Sequence, residues 1–90
     1  MEGYVYILKF KISGRYYIGS TVNFKRRLVQ HLRGHTYTTK KFGEFEVKLV
    51  QRYQDIKEAH WVERKIKSWK RKDFIDKMVV KGKILIKPFN

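Results

Sequence analysis

Ninety residues with 22 Lys and Arg against 8 Asp and Glu carry a formal charge of +14, an excess that repels itself in a compact fold and suits a polyanionic partner: nucleic acid, an acidic membrane or an acidic protein. That length fits one domain, residues 1–90, around a single small core, and 42% hydrophobic residues with six Tyr, six Phe and two Trp exclude a disordered chain. Zero cysteines exclude disulfides, thiolate metal sites and a cysteine nucleophile; with no apolar run near the ~18 residues of a membrane span and no signal-peptide pattern, we expect a cytoplasmic protein acting on nucleic acid.

Gly3 to Phe10, G-Y-V-Y-I-L-K-F, is rich in aromatic and β-branched residues and predicts a strand. Tyr4, Tyr6, Leu8 and Phe10 share one face, Val5 and Ile7 the other. Both faces are apolar, as in a central strand covered on each side. Ser13-Gly14 is a turn signal, so Arg15 to Gly19 returns as the second arm of an antiparallel hairpin. On it Tyr16 and Ile18 point one way, Tyr17 and Gly19 the other. Gly19 removes a side chain where another group can then approach closely.

Ser20, Thr21 and Asn23 are all candidate N-caps for a helix from about Asn23 to Arg33, with Gly34 as its C′ residue. Phe24, Leu28 and Leu32 repeat at i, i+4, i+8 as its apolar stripe, with Arg27 and His31 in a row beside it. Tyr17, Arg27 and His31 can therefore meet at one end of a strand–helix unit. A phenol, a guanidinium and an imidazole suit a phosphate better than a core.

His35 to Gly43 has no clean period and reads as a loop whose hydroxyls, Lys40 and Lys41 suit backbone phosphates. Phe45 to Tyr53 alternates, with Phe45, Val47 and Leu49 on one face and Glu46 and Lys48 on the other, and predicts a third strand. Asp55 caps a second helix through about Trp69. Lys70 to Val79 predicts a third. Lys81 to Asn90, interrupted by Pro88, fits a small strand or a basic tail. His35 and His60 read as surface residues, Trp61 and Trp69 as packing residues.

The second helix holds an anomaly. Its stripe is Ile56, Ala59, Val62 and Ile66, and at ~100° per residue Glu63 falls inside that arc. A buried, unpaired carboxylate costs several kcal/mol. Glu63 must be paired with Arg or Lys, open to a cleft, or bound to a cation.

The order strand with Y-V-Y, turn, strand with Y-I-G, helix with Arg27-x-x-x-His31, strand, helix with Glu63 resembles the GIY-YIG nuclease superfamily, over Gly3 to about Val79. The segments Tyr4 to Leu8, Tyr17 to Thr21, Arg26 to His31 and Glu58 to Lys67 look especially like its small stand-alone bacterial members. The resemblance implies an α/β sandwich (α+β), a three-stranded antiparallel sheet flanked by helices in β-β-α-β-α-α order. It implies divalent-metal-dependent hydrolysis of DNA phosphodiesters, with Mg²⁺ or Mn²⁺ as cofactor. It makes Tyr6 and Tyr17 the signature tyrosines, Arg27 the phosphate-binding arginine, His31 the helix histidine and Glu63 the metal carboxylate. The chain departs from the pattern twice. Tyr4 stands where the family has its first glycine. The family's late asparagine has no counterpart near Ile75, which leaves its role lost or taken by Lys67 or Lys72.

Those residues match the needs of phosphodiester cleavage. Mg²⁺ can sit on one carboxylate and keep its waters, and arginine forks onto two phosphate oxygens. A Tyr of pKa about 10 becomes a useful base if a cation at ~4 Å supplies roughly 4 kcal/mol at an effective dielectric of ~20. Tyr6 beside Arg27 and the metal is then expected as a phenolate near neutrality, hydrogen-bonded to His31 or passing its proton there, with Tyr17 orienting water or phosphate. Arg26, Lys40, Lys41, Lys67, Lys70, Arg71 and Lys72 are the expected nucleic-acid contacts, on duplex or branched DNA. With no evident reading module, cutting by structure, as in repair, recombination or flap processing, is expected over site-specific cutting. The alternatives are a non-catalytic nucleic-acid binder and an RNA nuclease with the same site.

Overall fold

The computed structural model describes residues 1–34 and 37–86, and residues 37–39 by backbone alone. In chain order the elements are β1 (Gly3–Phe10), β2 (Tyr16–Thr21), α1 (Phe24–Leu32), α2 (Tyr37–Phe42), β3 (Phe45–Tyr53), α3 (Ile56–Trp69) and α4 (Lys72–Lys81). The strands form one three-stranded sheet in the order β2-β1-β3, antiparallel throughout. This is the expected α+β arrangement with one addition. The stretch read as a loop forms the short helix α2, which the six residues alone do not announce. Its Phe42 ring lies 5.4 Å from that of Phe10, with the Arg15 guanidinium on it at 5.1 Å.

β1 is central and buried on both faces, as its two apolar sides require. Val5 and Ile7 face α3 and α4, in a core with Ile18, Leu49, Ala59, Val62, Ile66, Ile75 and Met78. Tyr6, Leu8 and Phe10 form the opposite face, where Phe24, His31 and Phe45 close over them. Trp61 and Trp69 pack against the α3 core as expected.

The alternation read for β3 holds only in part. Ile7 pairs with Leu49 but Leu8 pairs with Val47, so Lys48 is an extra residue and the strand changes parity there. Phe45 therefore turns to the Phe10 side while Leu49 enters the α3 core. Gln51 anchors the segment after α4, accepting from the Ile84 N–H at 2.7 Å. Residues 82–86 form no strand; 87–90 lie outside the described residues.

α1 begins at Asn23, whose side chain accepts from the Arg26 N–H, so Asn23 is the cap among the three candidates. Its inner face runs Phe24, Leu28 and His31. Leu32, expected on the stripe, is 68% exposed, and His31 takes the buried place at 2%. α3 starts at the Asp55 cap and ends at Lys70 in the left-handed conformation, φ 51°. No helix among the described residues is long and apolar enough to cross a membrane.

Helix α3 lies directly on Gly3. A Cβ there would stand 2.6 Å from the Ile56 Cα, a backbone atom that cannot step aside. Gly3→Ala is expected to lower stability by about 1–3 kcal/mol, measured as the midpoint of urea unfolding.

Candidate active site

Period-two alternation in the hairpin sets out the site. Tyr6 pairs with Gly19 and Leu8 with Tyr17, which puts both signature tyrosines on the α1 face. Gly19 is what lets Tyr6 lie there. A Cβ on Gly19 would overlap the Tyr6 phenol oxygen and the ring carbon that bears it. The space a side chain would fill is occupied by the Tyr6 hydroxyl.

From α1, His31 reaches the same point. Its Nε2 is 2.9 Å from the Tyr6 Oη in a buried hydrogen bond. The imidazole is walled by the rings of Tyr17 at 5.1 Å, Tyr6 at 5.6 Å and Phe45 at 6.1 Å. Burial, with the nearby Arg27 charge second, depresses the His31 pKa to about 4. The ring is therefore neutral at physiological pH.

Burial also pushes the Tyr6 phenol well above its ordinary value. Tyr17 and Glu63 act in the same direction, and the Arg27 charge opposes without prevailing. The phenolate expected near neutrality is thus corrected for the protein by itself: desolvation outweighs the guanidinium. A neutral Tyr6 hydroxyl and a neutral His31 ring therefore share the contact.

Glu63 approaches from the other side of the sheet. Its helix packs on the face of Val5 and Ile7, and Glu63 meets β2 through Ser20, the residue paired with Val5. The side chain is 17% exposed. Oε1 accepts from the Ser20 hydroxyl and Oε2 meets the Lys67 ammonium at 2.6 Å. Of the three ways out read for Glu63, two are present: it pairs with Lys67, and it lines a cavity of about 330 Å³. Yet β2 is an edge strand, so this is not isolation behind the sheet. Lys67 lies 6.0 Å from the Tyr17 ring centroid, and the Glu63 charge is felt at the Tyr6 hydroxyl. The two phenols and the imidazole form one cluster, Arg27 acts on it electrostatically, and Glu63 stands across the β2 edge.

Among the described residues no group of three or more His, Asp or Glu side chains could cage a metal ion. One carboxylate suffices for a hard cation that keeps most of its waters. Glu63 offers that one carboxylate, and a cation taking Oε2 would displace the Lys67 ammonium that now meets it.

Ile75, near the place of the missing asparagine, is buried in the α3 core. Of its two proposed substitutes, Lys67 is at Glu63, while Lys72 lies 6.0 Å from the Tyr16 ring. Lys67, Lys70, Arg71 and Lys72 all line one groove of about 480 Å³ with Arg15 and Tyr16. Lys40 lines another, of about 850 Å³, with Lys11, Arg33 and His31. Arg26 and Lys41 are exposed, on α1 and α2. Sequence reasoning did not find Ser20, taken as a possible helix cap, nor the contact made by His60, whose Nδ1 is 2.6 Å from the Ser20 Oγ. His60 is exposed, as expected of it; His35 lies outside the described residues.

A family model described as the GIY-YIG catalytic domain matches residues 2–77. Among solved structures, the chain is similar to the UPF0213 protein BH0048 from Bacillus halodurans, determined by solution NMR. The two share 30% identity with a TM-score of 0.58, over 91% of this chain and 87% of that one. None of the curated proteins matches the chain.

The neutral, buried His31 predicts a pH signature. An unfolded His titrates near 6.5 and His31 near 4, so between those values the unfolded state binds more protons. Stability is complete above about pH 6.5 and falls toward pH 4, by at most about 1.4 kcal/mol per pH unit. Urea unfolding of wild type and His31→Asn from pH 7 to 4.5 is expected to show the steeper acid loss in wild type.

Proposed function

The chain belongs to the GIY-YIG catalytic-domain family of nucleases, and on that premise we propose that it is a divalent-metal-dependent endonuclease hydrolysing DNA phosphodiester bonds, directed by structure rather than sequence. The observation that carries this reading is the buried Tyr6–His31 hydrogen bond. In it a phenol and a neutral imidazole meet in one buried contact along which a proton can pass, beside the positive charge of Arg27.

Arg27 binds the scissile phosphate as a fork, on two oxygens. The attacking water gives its proton to the Tyr6 oxygen as the Tyr6 proton passes to His31 Nε2. The water oxygen bonds to phosphorus and the bond to the leaving oxygen breaks, the leaving oxygen keeping the electron pair and taking a proton from solvent. The incoming phosphate brings negative charge, which raises the proton affinity of His31 at that moment. Tyr17 orients the water or the phosphate. Glu63 would hold Mg²⁺ or Mn²⁺ through Oε2, which means that Lys67 yields that atom. The bound cation supplies charge stabilisation to the phosphate and the leaving oxygen.

The basic groove of Arg15, Lys67, Lys70, Arg71 and Lys72 supports a strand running along the β2 side of the molecule. Such a track reads phosphates and not base edges. It agrees with a preference for form over sequence.

Nicking of supercoiled plasmid and of branched DNA in Mg²⁺ or Mn²⁺ tests the proposal. Tyr6→Phe and His31→Ala are expected to lose about 10²- to 10⁴-fold in rate, and Glu63→Ala to be inactive, all with DNA binding retained. Wild-type binding without cleavage of any DNA would leave the non-catalytic binder, and cleavage of RNA alone would make the substrate RNA. Separately, Lys70→Ala with Arg71→Ala is expected to flatten the salt dependence of DNA affinity by about 0.9 in log–log slope for each phosphate no longer neutralised. An unchanged slope removes the groove from the binding surface.

A further inference from the structure

His60 is used by no step above, yet it contacts the site. It lies three residues before Glu63 on α3, so the two share a helix face. Ser20 comes up from β2 between them, 8% exposed. Its hydroxyl has one proton, which goes to Glu63 Oε1. The remaining contact, 2.6 Å to His60 Nδ1, is then one in which the Ser20 oxygen accepts. His60 is its donor, and the neutral ring is the Nδ1–H tautomer. Beside it, His60 and Glu63 line a cavity of about 330 Å³ with Lys57 and Arg64.

We propose that His60 is a positioning residue that acts through Ser20 to orient the Glu63 carboxylate for a divalent cation. The relay gives the Ser20 proton one direction. Without the Nδ1–H donor, the Ser20 oxygen loses the contact that holds its rotamer, and its bond to Oε1 is held less firmly. With it, Oε1 is occupied and Oε2 is the atom presented to the cation, where Lys67 now sits. Hydrogen bonds of this kind to a ligating carboxylate typically change metal affinity or activity by 10- to 100-fold. The inference rests on Glu63 as the metal ligand proposed above.

Calorimetric titration of Mn²⁺ into the nucleic-acid-free protein separates the two. His60→Phe is expected to weaken Mn²⁺ about 10- to 100-fold, while His60→Asn, whose side-chain N–H replaces the Nδ1–H, stays within about threefold of wild type. Nitrogen-15 NMR of the wild-type imidazole is expected to show Nδ1 protonated. His60 is exposed, and thermal melts of both variants check that they are folded before the titrations are compared. If Glu63→Ala binds Mn²⁺ as tightly as wild type, the metal assignment fails and the relay with it. A weakened Glu63→Ala beside an unchanged His60→Phe overturns the relay alone. So does His60→Asn binding as poorly as His60→Phe, or an Nε2–H tautomer in wild type.

Discussion

One missing side chain sets where the chemistry can be. At Gly19 the Tyr6 phenol crosses onto β2 and occupies space that any Cβ would fill. From there its hydroxyl meets His31 on one side and lies within electrostatic reach of Glu63 on the other. The sheet normally divides the two layers packed on its faces. At the β2 edge that division is thin enough for the α3 carboxylate to influence the β1 phenol, without touching it.

Burial then decides the protonation of that place. Arg27 is close enough to bias both Tyr6 and His31, but in each case loss of water is the larger influence. The result is a pair of neutral groups joined by a buried 2.9 Å hydrogen bond, in a molecule whose formal charge is +14. Positive charge is kept to the periphery, in the grooves of Lys67 to Lys72 and of Lys11, Arg33 and Lys40. Both grooves reach the cluster, one through His31 and the other through Lys67, which meets Glu63.

Much of this was legible in the chain. Period two placed Tyr17 and Gly19 opposite Tyr16 and Ile18, and the Asp55 cap and apolar stripe gave α3 to the residue. Glu63 drew notice because a carboxylate inside an apolar arc demands an explanation. What escaped reading depended on contacts between distant segments. α2 has six residues and no period, and its Phe42 packs on Phe10 from far earlier in the chain. The extra residue at Lys48 is invisible in an alternating string, since only pairing with β1 reveals it. The Leu32 error arose because a polar His31 outcompeted a leucine for burial, through its bond to Tyr6. Ser20 and His60 are 40 residues apart, and neither is unusual until the other is beside it.

The hairpin writes two programmes on alternate residues of β2. Tyr16, Ile18 and Ser20 serve the core layer, and Tyr17 and Gly19 serve the layer of Tyr6 and His31. A shift of the β1–β2 register by a single residue would exchange them, sending Tyr17 toward α3 and Ile18 into the site. The connection from Lys11 to Arg15, closed by Phe10 and Arg15 backbone bonding at 2.9 Å, is therefore a ruler. Its closure holds the register that keeps the two layers apart. Evolutionary indels in that turn should come in numbers that preserve parity, whatever becomes of the residues themselves.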